Sequence, residues 1–259
     1  MSEITQKDHS AANHQAWNHR AYDAWCLLEG SPSEAAEKMR QNPRYPLREY
    51  EQHLGDVEGK RVANLLGSHG RRAVTLSLLG AHITVVDISE ENRRYALEFA
   101  KASGVEIEYI VSDVVEWDCR SHLDTFDIVL MELGFLHYFI DLNPLAGLIH
   151  SILRPGGKLI LHEFHPINKK CPIESDGDRW ILTGDYFSSE VFKGQVPFRI
   201  AFPEDEADAL PPCHYRYWQI GEIVTTISSA GMIIETLTEN PHKEPHPLPA
   251  SFTLVARKS

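Results

Sequence analysis

From Arg61 to Phe164 the chain repeats one rhythm, a short apolar run, a polar turn and a helix-length segment, and this alternation restricts the fold more than any other feature. Val62-Ala63-Asn64-Leu65-Leu66 reads as a strand, Gly67 to Gly70 as a tight turn, and Arg71 to Leu79 as a helix closed by Gly80. The β-branched run from His82 to Val86 forms a second strand ending at Asp87, followed by a helix from about Ser89 to Ser103 with Gly104 as its stop. Glu106 to Val111 is the third strand and Phe126 to Met131 the fourth. A helix from about Asn143 to Leu153 then runs into Arg154-Pro155-Gly156-Gly157, and Lys158 to Phe164 is the fifth strand. Strands alternating with helices of about 10–15 residues specify right-handed crossovers and a parallel sheet.

The flanks are less regular. The first ten residues are polar and predict a frayed end, while Trp17, Tyr22, Trp25, Leu27 and Leu28 have helical spacing. Ser31 as N-cap, Pro32 at the first helical position and Glu34 two further on open a helix to about Gln41. A second short helix spans Pro46 to Leu54 and ends at Gly55. Pro166 to Tyr215 is too long for a simple connection and predicts an inserted cap with a few short strands. Tyr217 to Ala230 reads as a helix. Met232 to Leu237 and Ser251 to Ala256 read as strands joined without a helix, which should pair antiparallel at the sheet edge. The division expected is a helical lid over 1–60 and one α/β domain over 61–259, with the cap at 166–215.

Charge narrows the partners. The 25 Lys and Arg against 37 Asp and Glu give a formal charge of −12, opposing the counterion release that drives nucleic-acid binding. Cys26, Cys119, Cys171 and Cys213 form no CxxC pair, so neither a zinc site nor a disulfide framework is indicated. No apolar run reaches the roughly 18 residues of a membrane-spanning helix, and the start is not signal-like. A cytoplasmic monomer or homodimer, without membrane or nucleic-acid partners, is the expectation.

The sharpest chemical cue is the first strand-turn-helix unit. Gly67 and Gly70 bracket the turn, and Asp87 ends the next strand 20 residues after Gly67. Such a bend lets a nucleoside approach the backbone, and the carboxylate at the second strand tip accepts from ribose hydroxyls. The span from Arg61 to Lys258 resembles the class I (Rossmann-like) S-adenosylmethionine-dependent methyltransferases. Val85-Val86-Asp87-Ile88-Ser89 is similar to their ribose-binding motif and Val111-Ser112-Asp113-Val114 to their adenine-binding motif. Phe126-Asp127-Ile128-Val129 and Leu153-Arg154-Pro155-Gly156-Gly157-Lys158-Leu159 follow in the family's order. The glycine motif departs from the pattern: Asn64 stands where an acid is common, Leu66 at the first glycine and Ser68 at the middle one.

The resemblance implies a three-layer αβα, seven-stranded, mostly parallel sheet with an antiparallel last strand, and S-adenosyl-L-methionine as cofactor. It places Gly67, Ser68 and Gly70 under the methionine and ribose, Asp87 on the ribose, Ile88 on the adenine face, and Asp113 with Val114 at the adenine edge. Glu132 would contact the methionine amino group or the substrate. Asp127 either binds or merely orients neighbouring backbone.

Methyl transfer needs in-line alignment, and a base only when a proton must leave early. Candidates at the carboxyl ends of strands four and five are His137, Tyr138, His162, Glu163 and His165, with His137, Glu163 and His165 as the catalytic set. Each could equally satisfy a buried carbonyl or cap a helix. His162 and His165 would diverge on a regular strand, so no metal is expected there. His242 and His246, among Pro241, Pro245, Pro247 and Pro249, suit a rigid exposed loop.

The Asp/Asn-Pro-Pro-Tyr signature of relatives acting on nucleobase amines or glutamine is absent, since Met131-Glu132-Leu133-Gly134 follows strand four. A small-molecule methyl acceptor, methylated on N or O, is the implied partner. Trp17, Tyr22, Trp25, Trp180, Tyr186, Phe187, Tyr215 and Tyr217 would wall its pocket or simply fill the core. Two rivals stay open: an NAD(P)-dependent oxidoreductase, which shares the glycine turn and Asp87, and a non-catalytic S-adenosylmethionine-binding protein.

Overall fold

The computed structural model describes residues 5–175, 177, 179–243 and 246–259. In chain order its strands are β1 (Arg61–Leu65), β2 (His82–Asp87), β3 (Glu108–Val111), β4 (Phe126–Glu132), β5 (Leu153–Phe164), β6 (Ile173–Ser175), β7 (Trp180–Leu182), β8 (Val191–Gly194), β9 (Cys213–Arg216), β10 (Met232–Pro241) and β11 (Pro249–Lys258). Seven of them form one sheet in the order β10-β11-β5-β4-β1-β2-β3. The pairs β1–β2, β1–β4, β2–β3 and β4–β5 are parallel, and β11 runs antiparallel to both β5 and β10. This is the expected Rossmann-like sheet with its antiparallel last strand. The order reverses between β1 and β4, the place where open α/β sheets leave a crevice at their carboxyl edge.

The α-helices are α1 (Gln6–Asn18), α2 (Ala21–Glu29), α3 (Pro32–Gln41), α4 (Glu51–Leu54), α5 (Arg71–Leu78), α6 (Glu90–Ser103), α7 (Asn143–Ile152), α8 (Pro166–Lys170), α9 (Glu204–Asp208) and α10 (Ile220–Ser229). The two-residue period of β4 shows why a layer is needed on each face. Ile128 and Leu130 pack with Val62, Ile160 and Leu76, whereas Val129 and Met131 pack with Leu65, Leu161 and Ile149. Burying an apolar side chain of this size stabilises by about 1.5–3 kcal/mol relative to exposure. A polar residue at either face of β4 would therefore be costly.

Local signals placed most elements. Ser31 accepts from the Glu34 N–H and Glu34 returns the bond to the Ser31 N–H. Ser89 caps α6, and Gly104 ends it in the left-handed region. Four expectations need correction. The chain is helical from Gln6, because Thr5 and Asp8 form a capping box that starts α1 inside the stretch read as frayed; residues 1–4 lie outside the described set. The single helix expected over Pro46 to Leu54 splits into a 3-10 turn (Tyr45–Leu47) and α4. β5 begins at Leu153, pairing it with Phe126 across a register shift, instead of at Lys158. The last two strands extend well beyond the expected runs because their hairpin pairing continues to Pro241 and Pro249. Pro245, from the Pro- and His-rich loop, lies outside the described residues. Among the described residues no helix is long and apolar enough to cross a membrane.

The segment before β1 reaches over the carboxyl edge of the sheet. Asn13 on α1 exchanges two hydrogen bonds with His214 of β9, at 3.2 and 2.7 Å. Gln6 donates to the Tyr138 carbonyl and accepts from the Ile140 N–H. The insertion after β5 supplies two hairpins, β6–β7 and β8–β9, on the same side.

Candidate active site

The bend after β1 is held in a conformation usually left to glycine. Leu66 and Ser68 have φ of 52° and 49°, in the left-handed region where a side chain costs about 1–2 kcal/mol. A Cβ at Gly67 would stand 2.7 Å from Asn64 Oδ1 and 2.8 Å from Val85 Cγ1, so only glycine fits between Asn64 and β2. Two substituted glycine positions thus keep the glycine geometry, and the surroundings enforce it.

Asp87 is one enforcer. Its Oδ2 accepts from the Ser68 N–H at 3.0 Å, and its Oδ1 from the Ser89 N–H at 3.0 Å and from Asn92 Nδ2 at 3.1 Å. Burial pushes this carboxyl above the usual range and the donors pull it back. A carboxylate offers about four acceptor directions, so three donors leave one for a ligand hydroxyl. His69 is the second enforcer. Its ring stacks on Trp25 of α2 with centroids 4.0 Å apart, and burial pushes its pKa down to about 3. Its Nε2 is buried without a hydrogen-bond partner. The ring does not plug the bend: a cavity of about 520 Å³ opens beside it.

That cavity runs along the carboxyl ends of β1 to β5. Gly67, Ser68, Asp87, Ile88, Asp113 and Val114 line one end, and Glu132 and His137 are among the residues lining the rest. Gly70 does not line it. With φ of 78° it serves as N-cap of α5. Asp113 caps the turn after β3 by accepting from the Val115 N–H.

Glu132, at the tip of β4, is buried and paired. Arg72 Nε stands 2.7 Å from its Oε2, and the Tyr50 hydroxyl donates to the same oxygen. Burial pushes the Glu132 carboxyl up, while Arg72 pulls it down. His137 meets Tyr138, Tyr215 and Tyr217 at ring-centroid distances of 4.3, 4.7 and 6.1 Å. Burial pushes its pKa to about 3, so the imidazole is neutral.

Two of the three residues expected to be catalytic lie elsewhere. Glu163 turns beneath the segment after β4, where its oxygens accept from the N–H groups of Gly134, Phe135, Leu136 and Phe164 at 2.7, 2.8, 3.0 and 2.7 Å. Every acceptor direction is taken, so it is a scaffold for the turn containing Leu133 (φ 35°) and Gly134 (φ 91°). His165 caps α8 through its Nδ1 and places Nε2 2.9 Å from Glu239, off the cavity wall. His162 hydrogen-bonds Thr253 at 2.9 Å. Among the described residues no His, Cys, Asp and Glu cluster could hold a metal ion. Asp127 orients its surroundings, accepting from the Arg61 N–H and from Arg154 Nε.

Of the aromatic residues expected around the pocket, Trp17, Trp25, Tyr215 and Tyr217 line it. Tyr22 bonds Glu98, Trp180 meets His246 edge-to-face, Tyr186 accepts from the Ile220 N–H, and Phe187 is 75% exposed. Nothing in the spacing marks Tyr50, His69, Arg72 or Lys169. The one available signal was Arg71-Arg72 in the first turn of α5, unusual because the helix dipole disfavours cations there.

A model of the methyltransferase domain family matches residues 66–161, from the bend to the end of β5. Within this chain, residues 66–161 are similar to that methyltransferase domain. Among curated relatives, the chain is 28% identical over 128 residues to the ubiquinone biosynthesis O-methyltransferase of Salmonella typhimurium, covering 49% of this chain and 52% of that protein. It therefore spans about half the length of the curated relatives it matches. Its fold is shared with an S-adenosylmethionine-dependent methyltransferase from Mesorhizobium loti, with TM-score 0.63, 22% identity, and 83% and 98% of the two chains covered. The magnesium protoporphyrin IX methyltransferase of Synechocystis PCC 6803, solved with bound S-adenosylmethionine, is similar over 100% of both chains, with TM-score 0.59 and 14% identity.

Proposed function

We propose that this chain is a class I methyltransferase that binds S-adenosylmethionine across the bend after β1 and methylates an oxygen or nitrogen of a small molecule held in the same cavity. The observation that supports this most is the continuity of the cavity from the buried Asp87 and the strained Leu66–Ser68 bend to the neutral imidazole of His137. The residues present fit the cofactor. Asp87 retains an acceptor direction for a ribose hydroxyl, Ile88 offers an apolar face for adenine, Asp113 with the Val114 N–H offers an acceptor and a donor for its edge, and the Glu132–Arg72 pair offers both charges to an amino acid group. When bound, the cofactor supplies a methyl group on a positively charged sulfur.

The chain's own part is alignment and dryness. Trp17 and Trp25 from the helices before β1, with Gln195, Pro197 and Tyr215 from the insertion after β5, line the cavity and limit water there. The four N–H groups gathered by Glu163 set the path of Leu133 to His137, and so the place of the imidazole. His137 accepts the acceptor's proton late in the reaction, once the forming bond has made that proton strongly acidic; a base of low pKa suffices there. A nicotinamide reading has no matching support, because the bend lacks the third glycine and the domain family matched is a methyltransferase.

Calorimetry with S-adenosylmethionine, S-adenosylhomocysteine and NAD tests the assignment. Binding of the two sulfur compounds and not of NAD is expected, and binding of NAD alone overturns it.

A further inference from the structure

The half of the cavity away from Asp87 has a definite chemical character. Its walls are Trp17, His137, Tyr138, Phe164, Tyr215 and Tyr217, a nearly continuous aromatic box in which Trp17 meets Tyr138 at 6.0 Å and Tyr138 meets Tyr215 at 5.5 Å between centroids. Such a box suits a planar ring or a quaternary ammonium equally well. Charge decides between them. Of the three described cations lining the cavity, Arg71 and Arg72 stand at the end nearer the bend, and Lys169 faces this half with its Nζ 4.4 Å over the Phe164 ring. Among the described residues no carboxylate lies within ion-pairing distance of Lys169. The cavity's carboxylates, Asp87, Asp113 and Glu132, all belong to the cofactor end, and Glu132 is already matched by Arg72. An ammonium would meet Lys169 with no counter-charge.

Polar groups without partners point the same way. The Tyr138 hydroxyl is buried in the wall, its residue only 8% exposed, with Trp17 and the Tyr215 hydroxyl beside it but no well-formed hydrogen bond to either. An unpaired buried hydroxyl costs about 1–3 kcal/mol and calls for a ligand atom. His137 lines the same wall as a neutral imidazole.

We infer that the acceptor is an aromatic hydroxy acid: a planar hydroxylated ring lies in the aromatic box, its carboxylate points to Lys169 at the mouth, and its hydroxyl lies between Tyr138 and His137. This rests on the methyltransferase reading above and names the substrate class for it. In the transfer, a lone pair of the ring hydroxyl forms the new oxygen–carbon bond as the methyl–sulfur bond breaks and its electron pair stays on sulfur. The hydroxyl proton passes to His137 and from there to solvent. The products are the aryl methyl ether, S-adenosylhomocysteine and one proton.

The test uses the full chain saturated with S-adenosylhomocysteine and three probes sharing one ring: 3,4-dihydroxybenzoate, catechol and 3,4-dihydroxybenzylamine. Binding is read by calorimetry for the native protein, Lys169→Met and Tyr138→Phe. The acid should bind at least about tenfold tighter than catechol, and the amine weakest, the scale of one charge-assisted contact. Lys169→Met should remove the preference for the acid while leaving catechol unchanged, and Tyr138→Phe should weaken all three. Lys169 is exposed, so its replacement leaves the fold intact. Tighter binding of the amine, equal binding of acid and catechol, no binding of any probe, or a preference that survives Lys169→Met each overturns the inference. Failure of S-adenosylhomocysteine to bind overturns the cofactor reading and, with it, the role of the acid as methyl acceptor, whereas failure of the probes on protein that binds S-adenosylhomocysteine overturns this inference alone.

Discussion

Glu163 offers the cleanest separation of scaffold from catalyst. Glu163→Gln keeps the shape of the side chain but replaces one acceptor oxygen by an NH2 group, which faces two of the four N–H groups now bound. Those two donors lose their partners inside the protein, at about 1–3 kcal/mol each. At mid-range this is a loss of about 4 kcal/mol, reduced by the relief of no longer burying a charge. For a chain of this size 1 kcal/mol corresponds to about 2–4 °C, so Tm should fall by roughly 8–16 °C before that offset. Thermal unfolding followed by circular dichroism measures the shift. In steady-state kinetics kcat should fall while the pH dependence keeps its shape, since Glu163 moves no proton. A Tm within about 1 °C of the native protein, together with loss of one limb of the pH–rate profile, would refute the scaffold argument and return Glu163 to acid–base chemistry.

Three further outcomes follow from the same geometry. Asp87→Ala should weaken S-adenosylhomocysteine binding about 5- to 150-fold, equivalent to about 1–3 kcal/mol. It should also lower Tm, because three donors lose their acceptor; calorimetry showing unchanged affinity would take Asp87 out of the site. His69 has a folded pKa of about 3 against 6.5 for the free side chain. Between those values the unfolded chain binds a proton that the folded chain does not, so stability is full above about pH 6.5 and falls with decreasing pH, by about 1.4 kcal/mol per unit. Urea midpoints from pH 7 to 4.5 should fall less steeply for His69→Phe, which keeps the stack on Trp25; identical slopes would contradict the argument. Gly67→Ala should destabilise by more than about 2 kcal/mol, since its methyl meets Asn64 and Val85 at 2.7 and 2.8 Å. A denaturation curve overlaying the native one would show that the bend relaxes freely.

The sheet was legible because its signals are local. Apolar runs of strand length, the Ser31 and Ser89 caps and the Gly104 stop each act within a few residues, and the parallel direction of β1 to β5 follows from their helical crossovers. The cavity end proposed for the cofactor was legible as a place for the same reason, since Asp87, Ile88, Asp113 and Val114 sit at or beside strand tips and line it. The acceptor end was not. A strand-end position puts Glu163 and His165 near the crevice but does not say whether a side chain turns over the edge or under the neighbouring turn. That was decided by four backbone N–H groups needing an acceptor, and by α8 needing a cap. The Tyr50–Glu132–Arg72 cluster joins segments far apart in sequence, and no spacing rule reaches across such a distance. Conversely, Gly70 occupies a cofactor-motif position for the sake of its φ alone.

The stack of Trp25 on His69 ties two parts of the molecule that could have moved independently. A swing of α2 away from the sheet strips the imidazole of its only flat partner on that side and wets a group that burial keeps uncharged, so the bend relaxes as the roof lifts. The Trp25 indole, in contact with that imidazole, is therefore a built-in fluorescent reporter of whether the stack is made.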